Sequence, residues 1–84
     1  MAEILLKDGL EKIKKFNENL KWFQSHYEEL TDQYKGEYVA INNNQIIDHD
    51  KDVHILVERL RKQYGDLSSF VIEHVPAQPS GYIL

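Results

Sequence analysis

Residues 36–48 read GEYVAINNNQIID. Glu37-Tyr38-Val39-Ala40-Ile41 is rich in the β-branched and aromatic residues that fit a pleated surface, and a second such run, Gln45-Ile46-Ile47-Asp48, follows three asparagines. Asn tolerates positive φ, so Asn42-Asn43-Asn44 suits a tight reversal and the two runs form a β-hairpin. The rest of the chain has to be arranged around that hairpin.

Upstream, Ile13, Phe16, Leu20, Phe23, Tyr27, Leu30 and Tyr34 are spaced alternately by three and four. This spacing puts them on one stripe of an amphipathic helix, with Lys14, Lys15, Lys21, Glu28 and Asp32 elsewhere around it. Ile4, Leu6 and Leu10 continue the stripe, although Gly9 costs up to about 1 kcal/mol relative to Ala inside a helix. Gly36, just past the last periodic residue, supplies the left-handed closure. Asn17-Glu18-Asn19 is where the helix would break, because Asn is mediocre in a helix interior and strong at an N-cap. If Asn19 caps a new helix, residues 20–34 pack on the sheet and 3–16 form a separate arm; if it does not, one long helix projects and zips against a copy of itself. The break is the reading adopted, giving an arm at 1–18, a compact domain at 19–75 and a tail at 76–84.

Downstream, Lys51 to Tyr64 carries Val53, Leu56, Val57, Leu60 and Tyr64 on one helical face, and Gly65 stops it. Phe70 to Val75 is the last strand, with His74 at its end on the same face as Phe70 and Ile72, and Pro76 closes it. The order α(α)ββαβ is an α+β fold. A helix crossing from the second strand to the third makes those strands parallel, so the arrangement expected is a three-stranded sheet in order 2-1-3 with the helices packed on one face.

The chain has 84 residues, net charge −4 and no cysteine. One domain of this size buries roughly 60–65% of its unfolded surface, enough for a core but not for a deep lined cleft. Disulfides, thiolate metal sites and Cys nucleophiles are excluded, and extra stability is expected from association, as a dimer or with another protein. An acidic surface repels phosphate, so nucleic acid is not an expected partner. Acidic residues interrupt the opening MAEILLKDGLEKIKKF and no small-residue cleavage site follows, so neither signal peptide nor membrane span is expected and the default compartment is cytoplasmic. No Gly-x-Ser-x-Gly turn and no Gly-rich strand-to-helix loop supports acyl transfer or nucleotide binding.

The segment IIDHDKDVH, residues 46–54, gathers carboxylates and imidazoles of the kind a metal ion or an acid/base pair uses. It fails as a calcium loop: counted from Asp48, the sixth and twelfth positions are Val53 and Arg59 where Gly and Glu are needed. His49 and His54 would point about 140° apart on a helix. The reading adopted is structural: Asp50 as N-cap, Asp52 at the positive end of the helix dipole, and Asp48 and His49 at a strand end. The alternative is a metal-binding or metal-dependent hydrolytic site of Asp48, His49, Asp50 and His54. No cofactor is expected. His26, beside the stripe, reads as a partly buried residue with one hydrogen bond.

Two features suggest contact with another chain. Phe23 lies on the stripe and Trp22 about 100° round the helix, so one of them widens the buried face or is presented outwards. Tyr82-Ile83-Leu84 is an apolar segment after a Pro/Gly spacer, suited to adding itself to an open sheet edge.

The run from Trp22 through Tyr34, Gly36, Tyr38, Val39 and Ala40 to Leu56 and Leu60 resembles a small archaeal and bacterial domain family of unknown function, DUF5678. In that family an aromatic-bearing helix leads into Tyr-x-Gly-x-Tyr/Trp-Val-Ala, a hairpin and a leucine-bearing helix. The resemblance spans roughly residues 20–75, implies the same architecture and implies no activity. Taken together, a non-enzymatic protein interaction or assembly module is expected, with Trp22, Phe23, Tyr82, Ile83 and Leu84 as its contact residues.

Overall fold

The computed structural model describes residues 2–77, with side chains from position 9 onward. The elements follow as α1 (Ala2–Ser25), α2 (Tyr27–Gln33), β1 (Tyr38–Asn42), β2 (Gln45–Asp50), α3 (Val53–Tyr64) and β3 (Val71–His74). The sheet order is β2-β1-β3, and both pairings with β1 are antiparallel. The expected α+β class and 2-1-3 order are therefore observed.

Asn43 and Asn44 take φ of 52° and 58°, the paired positive values of a two-residue turn whose twist matches the flanking strands. Tyr38 stands opposite Asp50 and Ala40 opposite Asp48, but Ile41 stands opposite Ile46, so Ile47 is an extra residue in a bulge. Consecutive strand residues face opposite ways, and Ile46 packs with one core cluster and Ile47 with the other.

Those two clusters correct one expectation. Val39, Ile41, Val71 and Val75 pack with Phe23 and Leu30 of α1 and α2, whereas Ala40, with Tyr38 and Ile72 at its margin, packs with Leu56 and Leu60 of α3. Alternate residues of a strand face opposite ways, so the helices sandwich the sheet instead of sharing one face. Val39, Ala40 and Ile41 are each fully buried, the pattern of a strand covered on both sides.

A second correction concerns the helix break. α1 runs unbroken through Asn19 and ends at Ser25; the hitch lies at His26, whose N–H donates to the Trp22 carbonyl at 3.1 Å and whose carbonyl accepts from Leu30 N–H at 3.0 Å. Asn19 does not cap because its amide is engaged elsewhere. Its Nδ2 donates to the Ser69 carbonyl at 2.9 Å and to Asn42 Oδ1 at 3.3 Å, and its Oδ1 accepts from Asn44 N–H at 3.3 Å. At 2% exposure it ties α1 to the hairpin and to the loop before β3. A 24-residue helix is about 36 Å long, which accounts for the elongated 52 × 26 × 19 Å envelope.

The third correction is the cap of α3. Asp52, not Asp50, is the N-cap, accepting from His54 and Ile55 N–H at 2.9 and 3.3 Å. Asp50 closes β2 and accepts from Asp52 N–H at 2.9 Å, one step earlier in the same turn. Gly65, at φ 78°, ends α3 as expected and donates to the Arg61 carbonyl. β3 is shorter than the run of strand formers, although Gly36 N–H to Val75 O and Val75 N–H to Glu37 O, both 2.8 Å, carry its pairing further.

Candidate interaction surface

The strand divides the acidic and imidazole residues of 48–54: Asp48 and Asp50 meet at Arg59, and the His49 ring lies apart from them. Asp48 stands opposite Ala40 on the α3 side, and Arg59 of α3 reaches it with Nε to Oδ2 at 2.8 Å and Nη2 to Oδ1 at 2.9 Å. The same guanidinium donates to Asp50 Oδ2 at 3.1 Å and to the His49 carbonyl at 3.0 Å. Hydrogen bonds from Arg59 hold the Asp48 carboxyl below its ordinary value; for Asp50 the Asp52 N–H contributes most and Arg59 next. The carboxylates in turn raise Arg59. His49 points to the other side, where its ring N–H donates to Glu37 Oε1 at 2.6 Å and its ring lies 4.9 Å from that of Tyr34. His54 is exposed in the first turn of α3. Among the described residues, no three His, Cys, Asp or Glu side chains are grouped as ligands for a metal ion.

Arg59 and Glu37 are the partners that sequence reasoning missed. Both are remote in sequence from the residues they bind, and only the β2-to-α3 connection and the Val39–His49 pairing bring them close.

Phe23 is 8% exposed and packs within the core cluster of its own chain. Trp22 is the residue that widens the buried face, half-buried against the same cluster and stacked on His26 at 4.3 Å and 17°. His26 Nδ1 lies 2.9 Å from the Trp22 carbonyl and 3.1 Å from Ser25 Oγ, so it is half-buried and bonded at the hitch. His74 is exposed at the end of β3, its ring 4.7 Å from that of Tyr38. Tyr82, Ile83 and Leu84 lie outside the described residues.

Among the described residues, exposed apolar side chains lie on α3, as Ile55 and Tyr64, and on α1, where they form a row. Leu10, Ile13 and Phe16 are 56%, 57% and 39% exposed, at i, i+3 and i+6, where helical residues are neighbours. Ile13 and Phe16 stand one heptad before Leu20 and Phe23, which pack on the sheet. The same stripe is thus covered toward its C-terminal end and open toward its N-terminal end. Lys12 Nζ, 2.9 Å from Asp66 Oδ2, fastens this part of α1 to the loop after α3, and Lys12 holds the Asp66 carboxyl down to about 2. Such a surface offers apolar area that contact with another chain would bury.

The chain matches no curated protein and no solved structure. Residues 29–78 match the family of unknown function DUF5678, a segment that runs from within α2 past the end of β3 and leaves all of α1, Trp22 included, before it. With more than half its length inside that match, and with the expected hairpin and crossover helix in place, the chain belongs to the DUF5678 family.

Proposed function

We propose that this protein is a non-enzymatic interaction module that self-associates and thereby presents its compact domain as part of an assembly. The observation that carries this reading is the half-exposed row of Leu10, Ile13 and Phe16, set among Glu11, Lys12, Lys14, Lys15 and Glu18 of α1. Contiguous apolar side chains on a protein surface mark contact sites. Fully burying one such side chain is worth about 1.5–3 kcal/mol, so completing the burial of three half-exposed ones on each of two copies gains roughly 5–9 kcal/mol. That is similar to the cost of association, estimated at about 4 kcal/mol and upward. The self-association is consequently reversible and concentration-dependent. Among the described residues the outer strands β2 and β3 each keep one unpaired edge, a second place for a protein partner to add a strand.

A net charge of −4 favours protein over nucleic acid as that partner. Among the described residues no helix is long and apolar enough to cross a membrane, and with a cysteine-free composition this supports a cytoplasmic setting.

Sedimentation over a micromolar concentration series tests the reading. A mass that rises with concentration, and returns to that of the monomer in Leu10→Ser/Ile13→Ser, is the expected result. A strict monomer throughout overturns it.

A further inference from the structure

Resting on that reading, we propose that α1 pairs with α1 of a second copy of this chain in antiparallel orientation, along Leu10, Ile13 and Phe16. Two features of the chain select the copy and its direction.

The first is charge. Positions 3, 8 and 11 of the chain are acidic against one lysine at position 7, whereas positions 12–21 hold four lysines, Lys12, Lys14, Lys15 and Lys21, against Glu18 alone. All of these positions are helical. A parallel pair would set the lysine-rich half of one helix beside the same half of the other. An antiparallel pair sets it beside the acidic half, and charges flanking a helix seam select orientation in this way. A partner matching this pattern is supplied by the chain itself, and a two-fold axis near Leu10 makes the surface self-complementary.

The second is the position of the compact domain. One heptad beyond the open residues, Leu20 is half-buried and Phe23 buried against the sheet, and Asn19 is bonded to Ser69 and Asn42. A parallel partner following the stripe would bring a second sheet to the end of the helix where the first already sits. The antiparallel partner places the two sheets at opposite ends of the paired helices and brings the two Leu10 side chains together at the centre.

The chain has no cysteine, so a spin label introduced at the exposed Asn17 through Asn17→Cys is the only label in the protein. In the antiparallel pair centred near Leu10 the two labels stand about 21 Å apart along the axis, from 1.5 Å per residue over twice the offset from the centre. In a parallel pair they lie side by side within about 10 Å, the interaxial distance of packed helices. A dipolar distance of about 20 Å or slightly more is the expected result, in a sample shown by sedimentation to be associated. A distance near 10 Å, or no coupling in an associated sample, overturns the antiparallel pairing and leaves self-association standing. A labelled protein, and an unlabelled control, that are monomeric at every concentration overturn both. Ile13→Glu, at a site that cannot harm the folded monomer's core, is expected to weaken association roughly tenfold or more, because the substitution enters the seam twice. Undiminished association of that variant also overturns the pairing.

Discussion

The guanidinium of Arg59 on α3 takes both oxygens of the Asp48 carboxylate on β2, at 2.8 and 2.9 Å, across a surface where both side chains are partly exposed. The flat fork of Arg matches a carboxylate in two parallel bonds, and Lys cannot reproduce it. Arg59 also reaches Asp50 and the His49 carbonyl, so one side chain fastens the crossover helix to the end of the hairpin. Arg59→Ala is expected to lower the urea midpoint, and Arg59→Lys to recover only part of the loss. If the Lys variant matches the wild type, the two-pronged geometry contributes nothing beyond charge.

The acid limb of stability follows from the same carboxylates. Asp48, Asp50 and Asp66 all have folded-state values below their ordinary 3.8, Asp66 down to about 2. A depressed folded value means that the ionised form favours the folded state, so this contribution is complete above about pH 5 and is lost as pH falls from 3.8 toward 2. Melting temperature measured against pH should therefore stay level down to about pH 5 and fall below it. Because Lys12–Asp66 is exposed, Asp66→Asn should blunt that fall only slightly, and less at high salt.

Asn19 is the buried polar anchor of α1. Asn19→Ala strands the Ser69 carbonyl and the Asn44 N–H, whose partner it removes, and should cost about 1–3 kcal/mol in urea denaturation. Amide exchange at Asn44 should quicken in that variant. If stability is unchanged, water replaces the amide and the contact is incidental.

What the sequence made legible, and what it did not, divides along the range of the interactions involved. The hairpin turn was readable because positive φ at Asn43 and Asn44 is a property of those residues themselves, and Gly65 announced the end of α3 for the same reason. Strand order followed from the crossover helix. The two-sided sheet was also written in the chain, since Tyr38-Val39-Ala40-Ile41 is a continuous apolar run and not an alternating one. Asn19 misled because a local preference for capping gave way to three bonds with residues more than twenty positions distant. Arg59 could not be chosen from several exposed charges until the path of the helix over β2 was known. The fully buried Ala40 tests the sandwich directly: Ala40→Leu intrudes between β1 and α3 and should cost about 1–3 kcal/mol, whereas a sheet with one bare face would accept it.

The stripe on α1 yields a paired prediction, because two of its phenylalanines stand one heptad apart in different surroundings. Phe23 is 8% exposed and packs among Leu30, Val39 and Ile41, so Phe23→Ala removes a large side chain from a closed core and should cost about 3–5 kcal/mol. Phe16 is 39% exposed, and Phe16→Ala has a solvent-facing side to collapse toward, so at sub-micromolar concentration its cost should stay below about 1 kcal/mol. Raising the protein concentration should leave the first difference unchanged and widen the second, because only Phe16 gains further burial when two helices meet. Urea melts of both variants at low and high concentration measure this. A Phe16→Ala penalty that is large at low concentration would mean that the stripe is already covered within one chain, and one that never grows would mean that no second helix comes to cover it.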